Sequence, residues 1–277
     1  MSEHPIAARW RLLREEAGRG RGTRRAALIP YLTAGYPTPQ LSHEALQLAA
    51  AAGADFVEVG VPFSDPLADG PTIQRSTQAA LEQGMTVPRV LELIARARLP
   101  VPVVVMTYLN PVLAYGLERF LADAHGAGAS GLLLTDFPAG ADPDVEAQVA
   151  ASPLALIRLV APTTTAERLA RTVRGGGGGT TGFLYLISRL GVTGARDQVP
   201  PDLPGHVARV RAASDLPLAV GFGIGTPAQA RATAQLADGV VVGSALVETL
   251  GSGGLAATER LIRELAAAVR AAPAPVA

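Results

Sequence analysis

The sequence contains no cysteine. Disulfides, thiolate catalysis and cysteine-ligated metals are therefore excluded. It contains no lysine either: the Lys+Arg total of 24 is made up wholly of arginine. Every mechanism that passes through a lysine Schiff base is closed to this chain. Any phosphate must be held by arginine or by backbone N–H groups. Charged residues are sparse at 17% and sum to a formal net charge of zero, so neither a nucleic-acid footprint nor attraction to an anionic membrane is written into the chain. No apolar run approaches the ~20 residues of a membrane span. The N-terminus is polar and basic, without the apolar core of a signal peptide. The expected compartment is the cytoplasm. His4, His43, His125 and His206 fall near the N-terminus or in helical segments, away from any shared site. A metal-dependent aldolase is not expected.

What is present is regularity. Short β-branched runs recur every 25–35 residues or so, with Ala/Leu/Arg/Glu-rich segments between them. The expected strands are Ala27–Thr33, Asp55–Gly60, Val101–Met106, Gly131–Thr135, Leu154–Leu159, Gly182–Ile187, Leu218–Gly221 and Gly239–Val242. The expected helices are Gln40–Ala52, Thr72–Arg98 in two pieces, Leu117–Gly128, Pro143–Ala151, Thr165–Arg174, Asp202–Ala213, Thr226–Leu236 and Leu255–Ala271, with an extra one over Pro5–Ala17. Continuous apolar runs such as Val101–Met106 suit parallel strands covered on both faces. Eight strand–helix alternations point to an α/β fold, a single (β/α)8 TIM barrel with an extra N-terminal helix. A doubly wound sheet rarely keeps eight such units. Residues 1–277 read as one domain, of which 1–25 are the N-terminal helix and a basic connector. The five glycines Gly175–Gly179 read as a loose turn on the bottom face.

A barrel builds its site from the C-terminal ends of the strands. The polar, aromatic and glycine residues gather there. Glu58 interrupts an apolar strand. Because side chains alternate, Phe56, Glu58 and Gly60 share one face and Val57 and Val59 the other. The valines suit the helix layer, so Glu58 points into the barrel. Burial raises a carboxyl pKa, and a glutamate so tuned is a suitable general acid that can afterwards act as base. The competing reading is a glutamate neutralised by a buried arginine. Asp65 and Asp69 follow in a loop punctuated by Pro62 and Gly70. Each is open to a plainer reading, a turn residue or a helix cap.

Glycines make a second constellation. Gly191–Gly194, Gly221–Gly225 and Gly243-Ser244 can each bring backbone N–H groups to an anion, and residues 244–248 read as a short extra helix. Barrel enzymes often hold phosphate between the loops after strands 7 and 8. Without lysine, backbone donation is the natural route.

Several segments together resemble the alpha subunit family of tryptophan synthase, over nearly the whole length. They are Pro30–Pro37, Glu58–Gln74, Tyr108–Pro111, Asp136–Pro138, Tyr185–Gly194, Gly221–Ile224 and Gly243–Ala245. The resemblance implies a lyase that cleaves indole-3-glycerol phosphate to indole and glyceraldehyde 3-phosphate by a retro-aldol reaction. It implies Glu58 as the acid–base residue and Asp69 as the aspartate that binds the indole N–H. Tyr185 would stand near substrate and Glu58. Tyr31, Tyr108, Leu133, Thr135, Thr193 and Phe222 would shape the indole pocket, and Gly194, Gly223, Gly243 and Ser244 would hold the phosphate. It implies no cofactor in this chain, and a pyridoxal-phosphate beta subunit as partner in an alpha2beta2 tetramer, with the loops Pro62–Gly70 and Ser188–Pro201 closing over substrate and meeting that partner. A stand-alone indole-releasing lyase and a non-catalytic activator of the beta subunit are the alternatives. The sequence departs from the family pattern at Leu190, at Tyr31 where phenylalanine is more usual, and in the Gly175–Gly179 run.

Overall fold

The computed structural model of the protein describes residues 3–18, 25–174, 182–188, 200–221 and 223–272. Eight parallel strands close into a barrel in chain order: β1 (Ala27–Thr33), β2 (Val57–Gly60), β3 (Val103–Thr107), β4 (Ala129–Leu134), β5 (Ala155–Val160), β6 (Leu184–Ile187), β7 (Leu218–Gly221) and β8 (Gly239–Val242). The helices are α1 (Pro5–Gly18), α2 (Pro39–Ala51), α3 (Pro71–Glu82), α4 (Val87–Ala97), α5 (Leu109–Tyr115), α6 (Leu117–Gly126), α7 (Pro143–Ala151), α8 (Ala166–Arg174), α9 (Leu203–Arg211), α10 (Pro227–Ala234) and α11 (Ser244–Arg270). This is a TIM barrel. No helix among the described residues is long and apolar enough to cross a membrane.

Most expected boundaries lie within two or three residues of these. Two differences have physical causes. Residues 109–115 belong to none of the expected elements, yet they form α5. Pro111 sits in the first turn, where its missing N–H has no intrahelical acceptor to lose. The two pieces expected at residues 244–248 and 255–271 follow one another as α11, whose helical backbone is broken at Gly254 by a φ of 69° that only glycine adopts at ease. The Gly175–Gly179 run lies outside the described residues.

The alternation of side chains sorts the strands into two cores. The outward residues, among them Val57, Val59, Val105, Leu132 and Val240, pack against the helices. The inward ones, Ile29, Phe56, Val104, Leu133, Ile157 and Ala219, fill the barrel together with Ile6, Trp10 and Leu13 of α1. Helix α1 therefore closes the bottom of the barrel. Its Trp10 ring lies 4.8 Å from Phe56 and 5.6 Å from Phe183. Below them, buried Asp55 ties the plug to β1: it pairs with Arg9 and Arg25 and accepts the Leu28 N–H. With the bottom sealed by aromatic rings, an open cavity is left for the other end.

Candidate active site

That cavity, of about 270 Å³, opens at the C-terminal ends of the strands. Its walls carry Tyr31, Glu58, Asp69, Tyr185, Gly223, Gly243 and Ser244. Seven of the residues singled out above thus meet in one place.

Three carboxylates among the described residues are almost wholly buried: Asp55, Glu58 and Glu146. Two of them are neutralised. Asp55 has its two arginines. Glu146 on α7 pairs with Arg158 on β5, and the pair also holds the Gly140 N–H and the Phe137 carbonyl of the loop after β4. Glu58 is 1% exposed, and no arginine among the described residues pairs with it. Among the described residues the arginine-neutralised reading finds no partner for Glu58. Burial, and secondarily the negative charge of Asp69, push the Glu58 carboxyl up to about 8. At neutral pH it carries a proton.

Asp69 is placed by its loop. The Asp69 N–H bonds to the Pro66 carbonyl and its own carbonyl accepts from Gln74 Nε2. Tyr108 holds the loop from the side: its hydroxyl donates to Asp69 Oδ2 at 3.0 Å and accepts the Ala68 N–H at 3.0 Å. The N-cap of α3 is Gly70, with no side-chain cap, so Asp69 is no helix cap. Burial raises its carboxyl to about 6 against the opposing pull of the Tyr108 hydroxyl. Two carboxyl groups facing one cavity are thus held apart in acidity, one protonated and one ionised at pH 7. Such separation is how one site supplies both an acid and a fixed negative charge. Asp65 is exposed; its side chain accepts from the Ser64 hydroxyl and its carbonyl accepts the Leu67 N–H.

Two tyrosines flank Glu58, and each lies over a glycine. A Cβ on Gly60 of β2 would stand 2.0 Å from the Tyr31 hydroxyl, and one on Gly221 of β7 would stand 2.1 Å from that of Tyr185. Only glycine leaves room for the rings to cross to the neighbouring strand. Burial pushes both phenols well above their ordinary range, so both remain protonated hydroxyls.

The far wall is backbone. Gly223 has a φ of 80° and Gly243 is the N-cap of α11. The first N–H groups of a helix have no intrahelical partner, and the helix dipole adds positive potential there. This end of the cavity suits an anion without any cationic side chain. Among the described residues no group of three or more His, Asp or Glu could hold a metal ion.

The remaining expected residues lie elsewhere. Leu133 is fully buried in the inner core. Thr135 donates to the Thr107 carbonyl and lines a separate cavity beside Asp136 and Arg158. Tyr108 reaches the site only through Asp69. Thr193, Gly194, Leu190 and Phe222 lie outside the described residues. Sequence reasoning missed Thr72, Ile73, Met106, Ile224, Val241 and Glu248, which also line the cavity. Met106 was open to detection by strand parity with Val104; the others carried no chemical signal.

A family model described as tryptophan synthase alpha chain matches residues 19–273. The tryptophan synthase alpha chain of Geobacter sp. (strain M21) is 49% identical over 224 residues, which cover 80% of this chain and 82% of that one. That of Nitratidesulfovibrio vulgaris is 43% identical, over 90% and 94%. In the solved Mycobacterium tuberculosis tryptophan synthase, one chain superposes with a TM-score of 0.85 at 43% identity, covering 97% of this chain and 99% of that one.

Proposed function

The chain belongs to the tryptophan synthase alpha chain family, and from that premise we propose a mechanism for its cavity. Its role is that of the alpha subunit in tryptophan biosynthesis. The family's reaction is the retro-aldol cleavage of indole-3-glycerol phosphate. The observation that carries the proposal is Glu58, a buried and protonated carboxyl without a cation, facing an ionised aspartate across one cavity.

Glu58 gives its proton to C3 of the indole, and the ring nitrogen takes up positive charge. The resulting Glu58 carboxylate accepts the proton of the glycerol hydroxyl on the carbon attached to C3. The O–H electron pair becomes the aldehyde C=O. The C–C bonding pair returns to the ring and restores neutral indole. Glu58 ends protonated, as it began, so the cycle needs no lysine and asks for no cofactor in this chain. Asp69 accepts the indole N–H and stabilises the transient positive charge. Gly223, Gly243 and Ser244, joined by Gly194, hold the phosphate through backbone N–H groups at the head of α11. Tyr31 and Tyr185 bound the ring, and Phe222 and Thr193 would join them. Tyr108 serves by positioning Asp69. Leu133 and Thr135 support the pocket from the core and the strand end.

The partner we infer is the tryptophan synthase beta subunit, which would bring the pyridoxal phosphate and take up the indole. Leu67, 95% exposed in the Asp69 loop, and half-exposed Leu113 on α5 would offer it apolar contacts.

A stopped assay for indole released from indole-3-glycerol phosphate, with and without a beta subunit, tests this reading. Activity should follow a bell in pH. It falls below about 6 as Asp69 gains a proton, and above about 8 as Glu58 loses its own. No indole under either condition would sink the reading. A rate indifferent to the beta subunit would favour the stand-alone lyase.

Gly221→Ala tests the placement of Tyr185. The added methyl must displace the ring from beside Glu58. Overpacking should cost about 1–3 kcal/mol in urea unfolding, and misplacement should slow indole release by about 10- to 100-fold. An unchanged rate would remove Tyr185 from the mechanism.

A further inference from the structure

Tyr31 is joined to a line of hydroxyls that the mechanism above leaves unused. Thr33, two residues on along β1 and so on the same face, lies with its Oγ1 3.4 Å from the Tyr31 hydroxyl. Thr33 Oγ1 is also 2.7 Å from Ser76 Oγ of α3, and Ser76 Oγ is 2.8 Å from the Ile73 carbonyl. Thr33 and Ser76 are almost wholly buried. Three hydroxyls thus share three bonds, with one proton each.

Thr33 Oγ1 donates to the Tyr31 hydroxyl, which leaves the Tyr31 proton for the cavity. The bond between Thr33 and Ser76 can run either way, and Ser76 supports this direction by donating to Thr33. Doing so forfeits only the bond to the Ile73 carbonyl. That carbonyl lies inside α3 and keeps its helical acceptor role toward Thr77.

Two carboxyls face the freed proton, Asp69 and Glu58, and Glu58 is the one whose charge appears only during the reaction. Tyr31 and Glu58 are register partners on adjacent strands. The Tyr31 ring crosses to β2 and puts its hydroxyl in the place of the side chain that Gly60 lacks. Gly60 is two residues beyond Glu58 on the same inward face, and the Tyr31 hydroxyl lies within electrostatic reach of the Glu58 carboxyl. We propose that Tyr31, Thr33 and Ser76 form a donor line aimed at Glu58 that stabilises the carboxylate left behind when its proton leaves, which makes Tyr31 a positioning residue for the acid–base step. This rests on Glu58 being the proton donor.

The surroundings agree. Tyr31 faces Asp69, Glu58 and Tyr108 electrostatically, and the negative charges and burial keep it a protonated donor while the Thr33 bond acts the other way. Tyr185 stands across the cavity and Glu248 of α11 lines its mouth. Among the described residues Glu58 has no arginine to take up its charge. A hydroxyl donor is what a transient buried carboxylate requires, because a permanent cation would hold it ionised and spoil it as an acid.

Tyr31→Phe keeps the ring and removes the donor. The Glu58 titration, followed by its carboxyl carbon-13 shift, should move up by about half to one pH unit. The kcat should fall about three- to tenfold with KM changing less, and the alkaline limb of the rate profile should move up with the titration. Thr33→Val and Ser76→Ala should move the titration the same way by less. A role confined to packing would alter KM or stability and leave the titration in place. If wild type releases indole, Glu58→Gln does not, and Tyr31→Phe leaves the titration unmoved, the donor line is refuted and the acid–base reading stands. If Glu58→Gln retains activity, the acid–base reading falls and the donor line with it.

Discussion

Glutamine in place of Glu58 is expected to reduce indole release by about 10²- to 10⁴-fold, the range that a positioned general acid–base contributes. The amide has the carboxyl's shape but no proton to give to carbon and no basic oxygen to take one back. Both halves of the cycle are lost together, so addition of a beta subunit should not restore the rate. Substrate binding should suffer less, since the phosphate end of the cavity is built from Gly223, Gly243 and the head of α11. Retained activity would refute the mechanism. Single-turnover indole release with saturating substrate is the measurement, because it separates chemistry from binding.

The same substitution has a stability signature of opposite sign. The Glu58 carboxyl is raised from 4.5 in the unfolded chain to about 8 in the folded one. The folded state binds the proton more tightly. The contribution is therefore fully present below about pH 4.5 and is lost as pH rises through about 8. Above that, the buried charge costs on the order of 5 kcal/mol. Glutamine never ionises. The variant should match wild type near pH 4.5 and exceed it in urea unfolding at pH 8.5. A gain in stability where activity is lost is what a strained catalytic group predicts.

How far this could be read from sequence depends on the residue. The barrel was legible because each strand carries apolar residues on both faces, as in Val103–Val105, and the structure closes those strands in chain order. Glu58 was legible because a charge in such a strand needs a reason. What could not be read was which of the buried carboxylates would find arginines. Asp55 is three residues from Glu58, yet its partners Arg9 and Arg25 come from α1 and the start of β1, and meet it only when the plug docks. Asp69 looked like a turn or cap residue, and only the approach of Tyr108 from the end of β3 distinguishes it. Helix α5 was hidden by a proline whose position in the first turn, rather than its identity, decides its effect. The apolar cavity walls, Ile73 and Val241, belong to the same alphabet as the core. Nothing local separates a leucine that touches substrate from one that touches another leucine.

Asparagine in place of Asp69 is expected to slow indole release by about 10²- to 10³-fold, the cost of removing a preorganised group from a developing charge. The amide oxygen still accepts from Tyr108, so the loop should hold its place through the Ala68 and Asp69 contacts. What disappears is the negative charge facing the indole nitrogen. A second consequence identifies the cause. The Asp69 charge is the lesser of the two effects that raise Glu58, after burial. Removing it lowers the Glu58 carboxyl, so the alkaline limb of the rate profile should move below about 8 while the acid limb, which belongs to Asp69, disappears. The profile would then be flat toward acid and fall earlier toward alkali, about two orders of magnitude below wild type. A variant slowed to the same degree but keeping both limbs would mean that Asp69 acts by holding the loop. In that case the charge stabilising the indole nitrogen would have to be sought elsewhere in the cavity, with Glu248 the one remaining carboxylate on its walls among the described residues.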